Sequence, residues 1–240
     1  MSDRHRLLEP EFRYIGWSPG YSLFHKLYLS LEFIFLFLAI PALIFYDLVP
    51  FSKIGLLLGF TLLCAFILWR DGRFNRKKLW NTKGVRKSAR GIFMRFIPAA
   101  VFLAIIILML EPDQLFNMVR NDFGSWLFVV IAYPLFSVYP QEVIYRGFVF
   151  HRYEPIFPKQ RFMIHVNALS FGYLHIIFGN YPAVFLTYGA GYLFARTYAE
   201  TKSLLAVSLE HALYGILIFT IGFNDYFLNS VVLDLDIFFR

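Results

Sequence analysis

The run Gln141-Glu142-Val-Ile-Tyr-Arg146-Gly places an amide, a carboxylate and a guanidinium inside a strongly apolar stretch that continues to Phe150. Glu142 and Arg146 are four apart, so on a helix they share one face and can neutralise each other. Further on, His175 closes the run Phe-Gly-Tyr-Leu-His, and Glu210 and His211 sit together in Ser-Leu-Glu-His-Ala-Leu-Tyr-Gly. A carboxylate and a histidine can jointly take a proton from water. A second histidine can donate to a developing oxyanion. Together they are equipment for hydrolysing an amide without a covalent intermediate. The same groups can be read as a zinc site of two histidines and a glutamate. The sequence has no HExxH, whose spacing puts both ligands on one helix face, so no cofactor is assigned. A purely structural reading is an ion pair plus two hydrogen-bonded core histidines.

The surroundings make these groups conspicuous. The chain has 240 residues, is 58% hydrophobic and 20% aromatic, and contains 30 Phe and 15 Tyr. Its mean hydropathy is +0.57. A soluble domain of this length rarely exceeds half apolar, so the composition is that of a polytopic membrane protein. Placing a charge at membrane depth costs about 2.5–3.5 kcal/mol on insertion scales. Such a group persists where it is paired or functional. Glu32 stands early in the first apolar segment and His165 near the start of a later one, and both read as interfacial. Glu142, Arg146, His175, Glu210 and His211 lie deeper.

The elements that must carry them are apolar segments at about 25–46, 52–69, 92–110, 123–140, 161–178, 182–198 and 203–222. Each is near the roughly 20 residues a bilayer core requires. The stretch 141–153 either extends the fourth segment or forms a separate short helix. The expected fold is all-α: a transmembrane bundle of seven to eight helices over 25–222, with an N-terminal segment 1–24 and a tail 223–240. No signal peptide is recognisable at the start, so insertion is expected to rely on the first span. The single Cys64 allows no internal disulfide and reads as packing. Pro41, Pro98 and Pro134 fall inside spans, and Gly189 and Gly191 are placed to let another helix approach closely.

Charge sets the expected orientation. The net charge is +7, and Arg70 to Arg95 holds ten Lys or Arg against one acid, Asp71. In a membrane chain this reads as a cytoplasmic loop, about 70–91, held by the positive-inside rule and anionic lipid rather than by nucleic acid. The basic N-terminal segment falls on the same side, which gives N-terminus inside and C-terminus outside with seven spans.

"QEVIYRG", "FGYLH" and "HALYG", taken in order, resemble the three motifs of the CPBP (Abi) family of intramembrane proteases, the CAAX-processing and bacteriocin-processing enzymes. The separations are 33 residues from Glu142 to His175 and 36 from His175 to His211. The resemblance covers about 123–222. It implies an intramembrane peptidase of the cell's inner or plasma membrane, if the source is bacterial, acting on a membrane protein or peptide. By that resemblance His175 activates water, His211 donates to the oxyanion, Glu142 matches the second motif glutamate, Arg146 the motif arginine and Phe171 the aromatic of the second motif. Two positions depart from the pattern. Gln141 stands where the family has its first glutamate, and an amide positions water but takes no proton at neutral pH. Gly215 stands where the family has Asn or Asp. Glu142 or Glu210 can supply the missing carboxylate, with Arg146 or His175 as expected partners of Glu210. Two further readings remain: a catalytically inactive relative that binds or scaffolds membrane proteins, and a small proton-coupled transporter.

Overall fold

The structure is a computed structural model and describes residues 21–227, so the expected segment 1–24 and tail 223–240 lie largely outside the described residues. Those residues form helices and no strands: the all-α bundle is what the chain builds. We label its long helices α1 (Leu23–Phe45), α2 (Lys53–Arg70), α3 (Thr82–Leu110), α4 (Phe123–Arg152), α5 (Gln160–Leu174), α6 (Tyr181–Thr201) and α7 (Leu204–Ile221). All but α5 open on a Ser, Asn or Asp whose side chain accepts a first-turn N–H, namely Ser22, Ser52, Asn81, Asp122, Asn180 and Ser203. Each such cap stabilises its helix by about 1 kcal/mol.

Five helices, α1 to α4 and α7, are long and apolar enough to cross a membrane, which makes this an integral membrane protein. The other two expected spans form helices outside that class. α5 has 15 residues, about 22 Å at 1.5 Å per residue. α6 has 21 residues but is more polar. Helix α3 starts earlier than the apolar pattern indicates. Lys83, Arg86, Lys87 and Arg90 therefore ride on its first turns, exposed, rather than in a loop. Beyond them α3 exposes Phe93, Ile97, Val101, Phe102, Ile105 and Leu108, an apolar face suited to lipid.

The stretch 141–153 extends the fourth helix: α4 runs unbroken through Gln141 to Arg152. Every residue from 141 to 150 is buried. A helix segment buried on all sides belongs in the middle of the bundle, so this second half of α4 is the central post, while the first half exposes Phe123, Phe128, Ile131, Leu135 and Phe136. Val143, Ile144, Phe148 and Val149 share one core with Phe33 and Phe37 of α1, Cys64 and Leu68 of α2, Phe171 of α5, Phe194 of α6 and Leu204 of α7. Two wider π-turns interrupt α4, at Pro134–Val138 and Val143–Phe148. Pro134 brings no N–H to the ladder, and π-turns of this kind recur at functional sites.

Lipid is as apolar as leucine, so helices in a membrane associate through close packing and polar contacts. Gly172 on α5 and Gly191 on α6 supply the close packing. A methyl group on Gly172 would stand 3.0 Å from the Tyr188 Cα, and one on Gly191 2.9 Å from the Phe171 ring. Gly189, expected to share this role, has nothing within 4 Å. Polar contacts tie the ends. Glu32 accepts from Arg152 Nε at 2.5 Å and Nη2 at 2.6 Å and from the Tyr153 hydroxyl at 2.8 Å, pinning α1 to the end of α4 rather than reaching for the interface. Asp71, just past α2, accepts from Arg73 Nη2 at 2.8 Å and meets His151 Nε2 at 2.9 Å. The Arg73 guanidinium, with its backbone N–H and His151, holds the Asp71 carboxyl well below the usual carboxylate range.

Candidate active site

Helix α4 brings Gln141, Glu142 and Arg146 into the bundle, α5 ends at His175, and α7 carries His211. Arg146 Nη1 donates to Glu142 Oε1 at 3.1 Å, and both side chains are fully buried. The pair neutralises its own charge, as the spacing predicts. Arg146 is fixed further by a bond from Nη2 to the Gly191 carbonyl at 3.0 Å and by the Phe171 ring, 4.6 Å away. A guanidinium over an aromatic face is an attractive contact.

The same carboxylate oxygen receives His211. Its Nδ1 lies 2.7 Å from Glu142 Oε1. A carboxylate beside Arg146 accepts only, so Nδ1 carries the proton, and the neutral ring presents a bare Nε2. That nitrogen meets the Tyr133 hydroxyl at 3.1 Å, and with Nε2 bare the hydroxyl is the donor. The His211 ring stacks on Phe194 with centroids 4.6 Å apart. The result is a chain, Arg146–Glu142–His211–Tyr133, that holds the imidazole at both nitrogens and on one face.

His175 is fixed differently. Its Nδ1 donates to the Phe171 carbonyl at 2.8 Å, which leaves Nε2 as the free base of the neutral ring. The Phe171 ring contacts both imidazoles, its centroid 4.9 Å from His175 and 5.5 Å from His211. Gln141 donates from Nε2 to Ser137 Oγ at 2.8 Å, while its Oε1 is buried with no protein partner. An unpaired buried acceptor is costly, and this one is suited to a water O–H. Glu142 Oε2 is likewise buried and unpartnered.

Glu210 does not join this group. It is fully buried and bonds Arg95 of α3 at 2.9 Å, with Thr197 on the same guanidinium nitrogen at 3.0 Å. The sequence points to Arg146 or His175 as its partner; the structure gives Arg95 instead. Adjacent positions on α7 point to different neighbours: Glu210 toward α3 and α6, His211 toward α4. His165 packs its ring on Tyr192, centroids 5.2 Å apart, away from the site.

Several residues in and around the site escape a reading of the sequence. Arg95 counts there as the last cation of the basic run, yet it pairs a buried acid. Asn167 Nδ2 donates to the Tyr145 carbonyl at 2.7 Å, inside the second π-turn of α4. Tyr133 is the most consequential. A side chain on Gly215 would overlap the Tyr133 ring, with its Cβ 2.5 Å from the hydroxyl oxygen. The missing side chain at 215 is the signal, since some other group must fill that space.

The donor set does not fit a metal. Both nitrogens of His211 are engaged within the protein, and among the described residues no three His, Cys, Asp or Glu side chains are grouped to hold an ion.

Residues 123–217 match the family model described as Type II CAAX prenyl endopeptidase Rce1-like. This bears out the resemblance carried by the three motifs, all of which lie inside the matched segment. Neither the curated proteins nor the solved structures give a match.

Proposed function

We propose that this protein is an intramembrane endopeptidase that cleaves a peptide bond at or within the membrane with an activated water. The observation that carries the reading is the state of the two histidines. Each is locked in one tautomer by a bond at Nδ1, and both rings contact Phe171.

His175 Nε2 takes a proton from water as the water oxygen bonds to the peptide carbonyl carbon. Gln141 Oε1 accepts a hydrogen bond from the other water O–H, which stays on the attacking oxygen, and so aims the attack. The carbonyl π pair moves onto oxygen on the His211 side of the site. When the tetrahedral intermediate collapses, the C–N bond breaks and His175 returns its proton to the amine nitrogen. Glu142 serves as the fixed counter-charge that orients His211, with Arg146 holding Glu142. Glu210 supports α7 through Arg95.

The substrate is a membrane protein or peptide. The family description points to prenylated C-termini as the first class to try. The exposed cations Lys83, Arg86, Lys87 and Arg90 on α3 suit an anionic lipid surface, which by the positive-inside rule supports a cytoplasmic position for that end and, for a bacterial source, the inner or plasma membrane.

Gln141 favours a second reading, an inactive relative that binds membrane proteins. The test is cleavage of a pool of prenylated C-terminal lipopeptides and membrane-derived peptides by detergent-purified protein, beside Gln141→Glu. Cleavage by the natural chain supports the peptidase. Cleavage by Gln141→Glu alone favours the binding protein.

A further inference from the structure

By the resemblance of the three motifs an Asn or Asp is expected at position 215, and this chain has glycine there. The Tyr133 hydroxyl stands in that same space, 2.5 Å from where a Cβ on Gly215 would be and 3.1 Å from His211 Nε2. Glycine at 215 is therefore required by the tyrosine: any larger residue would collide with its ring. Tyr133 reaches this place from α4, which packs against α7 here, because of the π-turn that follows it. In an ideal α-helix, residues nine apart lie two and a half turns apart and face opposite sides. Tyr133 and Glu142 are nine apart, yet both bond the one imidazole of His211. The π-turn at Pro134–Val138 adds a residue to the intervening turn and brings the two onto one side.

We propose that Tyr133 is the oxyanion donor of this enzyme, a phenol from α4 replacing the side chain that Gly215 lacks, with His211 as the positioning residue behind it. The inference rests on the peptidase reading above. In the resting site the hydroxyl proton points to His211 Nε2. When water adds to the carbonyl and negative charge gathers on its oxygen, the hydroxyl turns that proton to the oxyanion. No proton leaves tyrosine: a bond to a neutral nitrogen is exchanged for a charge-assisted bond, which is roughly twice as strong. The gain exists only once the charge has formed, so it accelerates the reaction rather than tightening substrate binding. The Glu142–Arg146 pair keeps His211 in the tautomer that accepts from the resting hydroxyl.

The experiment measures kcat and KM on the peptide of the pool that is cleaved fastest, with melting in detergent recorded for each variant. Tyr133→Phe removes the donor and keeps the ring. The expected result is a fall in kcat of about 10²–10³-fold with KM little changed. Tyr133→Ala combined with Gly215→Asn empties the space and refills it from α7; it should recover at least about tenfold over Tyr133→Ala alone. Tyr133→Phe with near-parental kcat, or with the loss confined to KM, overturns the proposal, provided that His175→Ala abolishes cleavage. If His175→Ala still cleaves, or the natural chain never does, the peptidase reading fails and this inference with it.

Discussion

A buried charge is tolerable only with its partner, and Glu142–Arg146 states this most sharply in the molecule. Both are fully buried and joined at 3.1 Å. Removing one partner of such a pair typically costs about 3–5 kcal/mol, whereas replacing both with apolar groups can be near neutral. Glu142→Gln and Arg146→Met should each destabilise strongly, and the double variant less than either, in a mutant cycle followed by melting in detergent. Equal and additive losses would deny the coupling. Glu210 gives the contrasting case. It bonds Arg95 and stands apart from His175, so Glu210→Gln should lower stability by about 1–3 kcal/mol and leave kcat within about threefold. A large fall in kcat with intact stability would return Glu210 to the catalytic set. These residues differ in how far the sequence announces them. Glu142, Arg146, His175 and His211 are legible as polar groups in apolar runs. Arg95 is not, because its partner lies far along the chain and sequence spacing carries no signal of the contact. Tyr133 is hidden in a different way, since its α-helical phase puts it on the face opposite Glu142.

At the scale of elements, the apolar segments foretell where helices stand but not how they meet. Small residues at α5–α6 are visible in the sequence, yet only the structure selects Gly172 and Gly191 and leaves Gly189 idle. Gly172→Ala would press a methyl group against the Tyr188 backbone, and overpacking of this kind costs about 1–3 kcal/mol. Because α5 ends at His175, the same variant should lower activity, while Gly189→Ala should change neither. Similar effects at the two positions would contradict this packing. Asp71 anchors the end of α2 to α4 through His151. Its carboxyl is held low in the fold, so its contribution is present above about pH 4, the unfolded value, and is lost as pH falls further toward its folded value. Asp71→Asn should therefore melt lower than the natural chain at pH 7, and the gap should close as pH falls below about 4. A gap independent of pH would show that the charge is not what stabilises. The π-turns of α4 carry no sequence mark apart from Pro134.

For the molecule as a whole, composition alone announces the membrane and the helical class. The count of spans is less legible. The apolar pattern marks α5 and α6 as spans, but they are short or polar, since residues such as Asn167, His175 and Thr197 serve partners inside the bundle rather than lipid. The central claim is that this interior cleaves peptide bonds with His175 Nε2 as the base. The most direct measurement is cleavage of the lipopeptide pool by the detergent-purified natural chain and by His175→Ala, with melting confirming that both are folded. The account predicts hydrolysis by the natural chain and its loss, by at least about 10²-fold, in the folded variant. Undiminished hydrolysis by His175→Ala would contradict it.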